Sequence, residues 1–206
     1  MQQETALPAA AAHAEAHAHA DHHEVAPFSK DNSKLAMWLF LASEVMFFTV
    51  LIATYVWARG THPEEHALLN IPLTSLNSFV LLASSYFVAR AQGALHNGNI
   101  VKFQRSLVLN LLAGIAFFLI MMVEYSHLTH EGVTLNSGPF GFAFFTLTGF
   151  HATHVLIGLG WLFIVLNKGL NGVYTKDNSF GVEYYGLYWH FVDVVWIFIF
   201  TIVYLL

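Results

Sequence analysis

The chain has no cysteine, which excludes disulfides, thiolate metal sites and a cysteine nucleophile. Charge is scarce too: Asp, Glu, Lys and Arg make up 10% of the residues, against about 25% in ordinary soluble domains. The formal net charge is only −5, and several of the acids (Glu4, Glu15, Asp21, Glu24) sit near the N-terminus, so no nucleic-acid partner is indicated. There is no CxxC, no phosphate-binding loop, and no nucleophile–base pair of any specificity. What remains is apolar. Hydrophobic residues account for 56% of the chain, with 19 Phe among them, and this composition marks an integral membrane protein.

Residues 1–30 are rich in Ala, His and acid, and hold five of the thirteen histidines: His13, His17, His19, His22 and His23. No apolar run occurs there, so the segment is expected to be neither a signal peptide nor a span. A solvated, disordered tail is the expectation, because it has too little apolar surface to fold. Clustered histidines of this kind also have the composition of a metal-collecting tract.

Residues 31–206 form the membrane domain. Five apolar stretches, at about 35–57, 71–90, 103–125, 140–166 and 184–206, are each near the ~20 residues that cross a bilayer as a helix. The spacing predicts an all-α bundle of five transmembrane helices, with short Gly- and Pro-punctuated connections favouring antiparallel neighbours. Positive charge fixes the expected orientation. With the N-terminus cytoplasmic, the inner segments hold Lys30, Lys34, Arg90, Lys102, Arg105, Lys168 and Lys176, and the outer ones hold only Arg59. The C-terminus is then outside.

Among the polar residues within these runs, Glu44, His151, His154, His190 and Asp193 stand out. An Asp at the centre of a membrane helix costs roughly 2.5–3.5 kcal/mol on insertion scales, so such groups face protein and have partners. His190 and Asp193 are three apart, as are His151 and His154, so each pair shares a helix face. At ~1.5 Å per residue, all five fall in the inner half of the bundle, ~9–14 Å from the inner surface. One polar layer, drawn from the first, fourth and fifth helices, is expected. Glu44 has no basic residue within a turn, so it is read either as a proton-exchanging group or as a neutral hydrogen-bonding strut. The histidine pairs read either as a metal site between facing helices or as a polar packing seam, with Gly158 and Gly160 admitting close approach. Asn77, Ser78, Ser84 and Ser85 on the second helix read as packing residues, and Trp38, Trp57, Tyr86, Tyr125, Trp161 and Tyr204 as core or interface aromatics.

Three motifs carry a resemblance: Leu39–Phe48 around Glu44, Thr148–Gly158 around His151 and His154, and Tyr188–Trp196 around His190 and Asp193. Together with Phe79–Ser85, they make residues 30–206 resemble subunit III of the haem–copper respiratory oxidases. The resemblance implies a five-helix bundle docked on the catalytic subunit I, beside subunit II and other small subunits. It implies that haem and copper reside in those partners, and that this chain binds no cofactor or metal and performs no electron transfer. It makes Glu44 the carbodiimide-reactive glutamate associated with proton uptake. His151, His154, His190 and Asp193 become buried polar positions, and Lys34 and Lys168 residues that can meet lipid phosphate. Longer members have seven helices with a phospholipid cleft beside the first two, which have no counterpart in these 206 residues. The short form implies a bacterial plasma membrane. A subunit III-like accessory protein of nitric-oxide reductase is the alternative. A membrane metalloenzyme would need more histidine clusters, and a transporter would need a repeat or broken helices. The electron donor, cytochrome c or quinol, is set by other subunits.

Overall fold

The structure, a computed structural model, describes residues 30–60 and 68–206, with side chains from residue 32 onward. The N-terminal tail and the His62–His66 segment lie outside the described residues. Five helices follow one another: α1 (Lys30–Arg59), α2 (Ile71–His96), α3 (Ile100–His130), α4 (Pro139–Leu170) and α5 (Phe180–Phe200). The last continues into a single π-helical turn, Thr201–Leu205. Each is long and apolar enough to cross a membrane. The all-α membrane bundle expected from the apolar runs is therefore what the chain forms.

Local signals account for the helix ends. Asn70 Oδ1 accepts from the Leu73 amide (3.1 Å), and Asn99 Oδ1 accepts from the Lys102 amide (3.0 Å), so both asparagines cap the first turn of a helix. Pro139 opens α4, where a missing N–H costs nothing. Between α2 and α3 the chain reverses through Asn97, Gly98 and Asn99, with Gly98 at φ 71° and the Asn99 amide bonded back to Ala94 O (2.8 Å). Only glycine takes that left-handed conformation without cost. The helices run past the apolar windows: α2 reaches His96 and α3 reaches His130, because polar residues extend a helix into the headgroup region without breaking it.

α2 and α3 pack along their whole length, and α5 lies against α2, α4 and α1. α1 leans mainly on α4, with fewer contacts to α5 and the terminal turn, and its fully buried apolar residues are confined to the line Leu41, Phe48, Tyr55 and Ala58. The core is built around α5, whose Tyr185, Trp189, Val192, Trp196 and Ile199 are all buried, as is Val203 in the turn that follows. In lipid the hydrophobic effect does not drive helices together, so small residues and close fit must. Trp189 shows how. A Cβ on Gly158 of α4 would sit 2.7 Å from its ring, and one on Gly114 of α3 would sit 3.0 Å away. Gly160, by contrast, has nothing within 4 Å of a Cβ; two residues on, it faces away from the seam.

One end of the bundle carries Lys30, Lys34, Arg90, Lys102, Arg105, Lys168 and Lys176, the other Arg59. The first will be called the basic end.

Candidate functional site: two polar groups in the helix interfaces

Of the five polar residues singled out in the sequence, four fall into two hydrogen-bonded groups, and His151 stands apart from both. In the first group, Glu44 of α1 meets His154 of α4, Oε2 to Nε2, at 3.2 Å. His154 Nδ1 lies 2.8 Å from Phe150 O on its own helix. A carbonyl only accepts, so Nδ1 carries a hydrogen, and Nε2 is left as the atom that faces the carboxyl. Two arrangements satisfy the contact: a neutral carboxyl donating to Nε2, or an Nε2–H donating to a carboxylate. Either way the pair holds one proton between two atoms and has no net charge. Phe48 closes over it, 5.1 Å from the His154 ring, and Tyr188 OH donates to His154 O (3.0 Å).

The second group joins α5 to α2. Ser85 Oγ donates to Asp193 Oδ2 and lies 2.9 Å from His190 Nδ1. His190 and Asp193, sharing a face as their spacing required, thus meet a common hydroxyl. Asp193 is buried, and its other oxygen, Oδ1, has no hydrogen-bond partner among the described residues. The other serines of α2 behave differently. Ser75, Ser78 and Ser84 donate to carbonyls of their own helix, and Ser78 and Ser84 also accept the indole N–H of Trp196 (2.9 Å) and Trp189 (2.8 Å). Asn77 donates to Phe117 O on α3 (3.1 Å). So Asn77, Ser78, Ser84 and Ser85 of α2 are hydrogen-bonding partners of α3 and α5, a more specific part than packing alone.

His151 joins neither group. It is fully buried, its ring 4.9 Å from that of Trp196 and 6.0 Å from that of Phe117, and both nitrogens lack a hydrogen-bond partner among the described residues. The expected single layer from three helices is therefore divided, and α2 contributes to it. The two histidine pairs do not converge on one point: His154 faces α1 and His190 faces α2. Among the described residues no three His, Asp or Glu side chains gather as metal ligands would.

A buried carboxyl outside those motifs completes the polar set. Glu124 of α3, at the end opposite the basic one, accepts from Thr74 Oγ1 of α2 (2.9 Å) and from Tyr204 OH in the π turn (3.0 Å). Beside it Tyr125 OH donates to Thr148 Oγ1 (2.7 Å). Its sequence signal was an acid closing the apolar run Met121-Met122-Val123, where a hydropathy window already fades. Asn110, donating to Tyr185 OH (2.5 Å), had a comparable signal. Lys34 and Lys168 are exposed at the basic end, on the adjacent helices α1 and α4; Lys34 Nζ stands 6.0 Å over the Phe180 ring.

Known proteins match nearly the whole chain. A family model described as cytochrome c oxidase subunit III matches residues 11–206. "Cytochrome c oxidase subunit 3" of Bacillus subtilis (strain 168) is 37% identical over 183 residues, covering 85% of this chain and 86% of its own. "Quinol oxidase subunit 3" of the same organism is 36% identical over 177 residues, covering 84% and 86%. "Cytochrome c oxidase subunit 3" of Loxodonta africana is 35% identical over 192 residues, which is 86% of this chain and 71% of the longer relative.

Proposed function

Since this chain belongs to the cytochrome c oxidase subunit III family, we propose that it is the non-catalytic third subunit of a proton-pumping haem–copper terminal oxidase. It lies in a bacterial plasma membrane with the basic end in the cytoplasm, as the charge asymmetry favours. Its work is to stabilise subunit I, with subunit II and small subunits nearby, and to support proton uptake in aerobic electron transport. Haem and copper belong to the partner subunits. The observation that carries this reading is the Glu44–His154 pair, one proton shared between two atoms in the apolar interior, where such groups have work to do. In this reading Lys34 and Lys168, which are exposed at the basic end, meet lipid phosphate.

Affinity purification of this chain from native membranes in mild detergent tests the reading. Haem bands in the visible spectrum, together with co-purifying oxidase subunits I and II, are the expected result. Nitric-oxide reductase subunits in their place, or a colourless solitary chain, overturn it. Within the complex, Glu44→Gln is expected to leave assembly intact, since its amide N–H still donates to His154 Nε2, while the shared proton is lost. Proton-uptake kinetics and the number of turnovers before inactivation are expected to change while haem reduction does not. Loss of haem reduction in that variant would refute the accessory role.

A further inference from the structure

Asp193, Ser85 and His190 are connected in a way the rest of the bundle is not. Ser85 is the one serine of α2 whose hydroxyl bonds across to another helix as donor instead of to its own backbone. Serine and threonine hydroxyls in apolar helices ordinarily back-bond to the preceding turn, so this hydroxyl is held by what it meets on α5. A hydroxyl has one hydrogen and two lone pairs, and it can therefore pass a proton by reversing direction. With Ser85 donating to Asp193, the His190 contact requires Nδ1–H, and Nε2 presents a lone pair.

That Nε2 has no hydrogen-bond partner among the described residues, and the ring borders a cleft of about 410 Å³ between α1 and α5, lined also by Trp38, Leu41, Val45 and Phe191. Its lining, Trp38 to Val45 of α1 and Leu187 to Val194 of α5, comes from the halves of those helices that start at the basic end, and Trp38 is well exposed. The far end of the chain is closed. Asp193 is buried between α2 and α5, and the titratable groups facing it from packed elements are already engaged. Tyr185 accepts from Asn110, and Glu44 and His154 hold each other.

We propose that His190, Ser85 and Asp193 form a proton-holding relay, distinct from the Glu44–His154 pair, which takes a proton from water at the basic end of the α1–α5 cleft and stores it on Asp193. The steps balance. Nε2 accepts the proton; Nδ1 gives its own to Ser85 Oγ; and Ser85 gives its hydroxyl hydrogen to Asp193 Oδ2. Three bonds form and three break. The imidazole ends neutral as the other tautomer, and the arriving positive charge is cancelled by the carboxylate. The unpartnered Oδ1 is left as the only free acceptor of the group. The relay depends on the oxidase reading only for the preparation, and co-purification in the same sample tells failure of one from failure of the other.

Infrared difference spectroscopy on the intact oxidase complex reads it. A protonated-carboxyl C=O band that grows as pH falls and disappears in Asp193→Asn identifies the stored proton. On transfer to D2O, the deuterium shift of that band is expected to slow by roughly 100-fold in Ser85→Ala, the loss expected when a positioned proton carrier is removed. Ser85→Thr is expected to restore the rate. If Ser85→Ala fails to assemble, His190→Gln interrupts the same relay at its cleft end and is expected to slow exchange likewise. Exchange at the wild-type rate in either variant, or no band lost in Asp193→Asn, overturns the proposal.

Discussion

Single atoms decide how the helices of this bundle recognise one another. Ser84 and Ser78 accept the indole hydrogens of Trp189 and Trp196, so the two largest side chains of α5 are each fixed at one point on α2. Removing an acceptor leaves a buried indole N–H unpaired, at a cost of about 1–3 kcal/mol. Ser84→Ala is therefore expected to lower the midpoint of thermal dissociation of the purified complex, whereas alanine at exposed Ser43, bonded only to Phe40 O, leaves it unchanged. Glycine gives a paired comparison on α4. Gly158→Leu drives a side chain into the Trp189 ring, while Gly160→Leu projects into open space. The first is expected to abolish retention of the subunit in the complex and the second to preserve it. Subunit-to-haem stoichiometry after purification measures both.

At the scale of elements, the turn that ends α5 is held by three hydrogen bonds, one to α3 and two from α1. Tyr204 donates to Glu124 of α3, Tyr55 of α1 donates to Val203 O (3.3 Å), and Arg59 of α1 donates to Ile202 O (3.4 Å). A π turn releases carbonyls from the ordinary i→i+4 ladder, and α1 supplies donors to two of them. Tyr204→Phe removes one tether and leaves Glu124 with Thr74 alone. Faster amide hydrogen exchange is expected over Thr201–Leu205 and, through Tyr55, over the last turn of α1, with α2 and α3 unaffected.

The whole molecule is unevenly consolidated. α2 and α3 share an extensive interface and a three-residue turn, whereas α1 keeps one narrow buried line and exposes Trp38, Met46, Val50 and Trp57. Regions with few buried contacts open first. In the isolated chain in detergent, hydrogen exchange is expected to be fastest in α1 and slowest in the α2–α3 pair; equal rates across the five helices would contradict this. The number of helices and their antiparallel order were legible in the sequence, because apolar length and short connections determine both. Helix ends were not, since Ala91–His96 and Ser126–His130 continue the hydrogen-bond ladder where hydropathy has already fallen. The candidate residues were legible as polar atoms in apolar runs, and the shared face of His190 and Asp193 followed from spacing. Their meeting with Ser85 was not, because it depends on how α2 is rotated against α5, which no local pattern records. Glu124 had the same local signal as Glu44 but lay where the apolar window closes.

The hydroxyls of α2 also bear on how the protein is made. Their partners Trp189, Trp196, His190 and Asp193 lie on α5, which leaves the ribosome after α3 and α4, so α2 waits in the bilayer while those helices are synthesised. An unsatisfied polar group is costly there. Ser75, Ser78 and Ser84 carry their own provision, each hydroxyl hydrogen already given to a carbonyl of the preceding turn. Trp189 and Trp196 then need only the vacant lone pairs, and no existing bond is broken when α5 arrives. Ser85 is the exception. To reach Asp193 its hydroxyl must leave any such shelter, so this contact forms only once α5 has arrived.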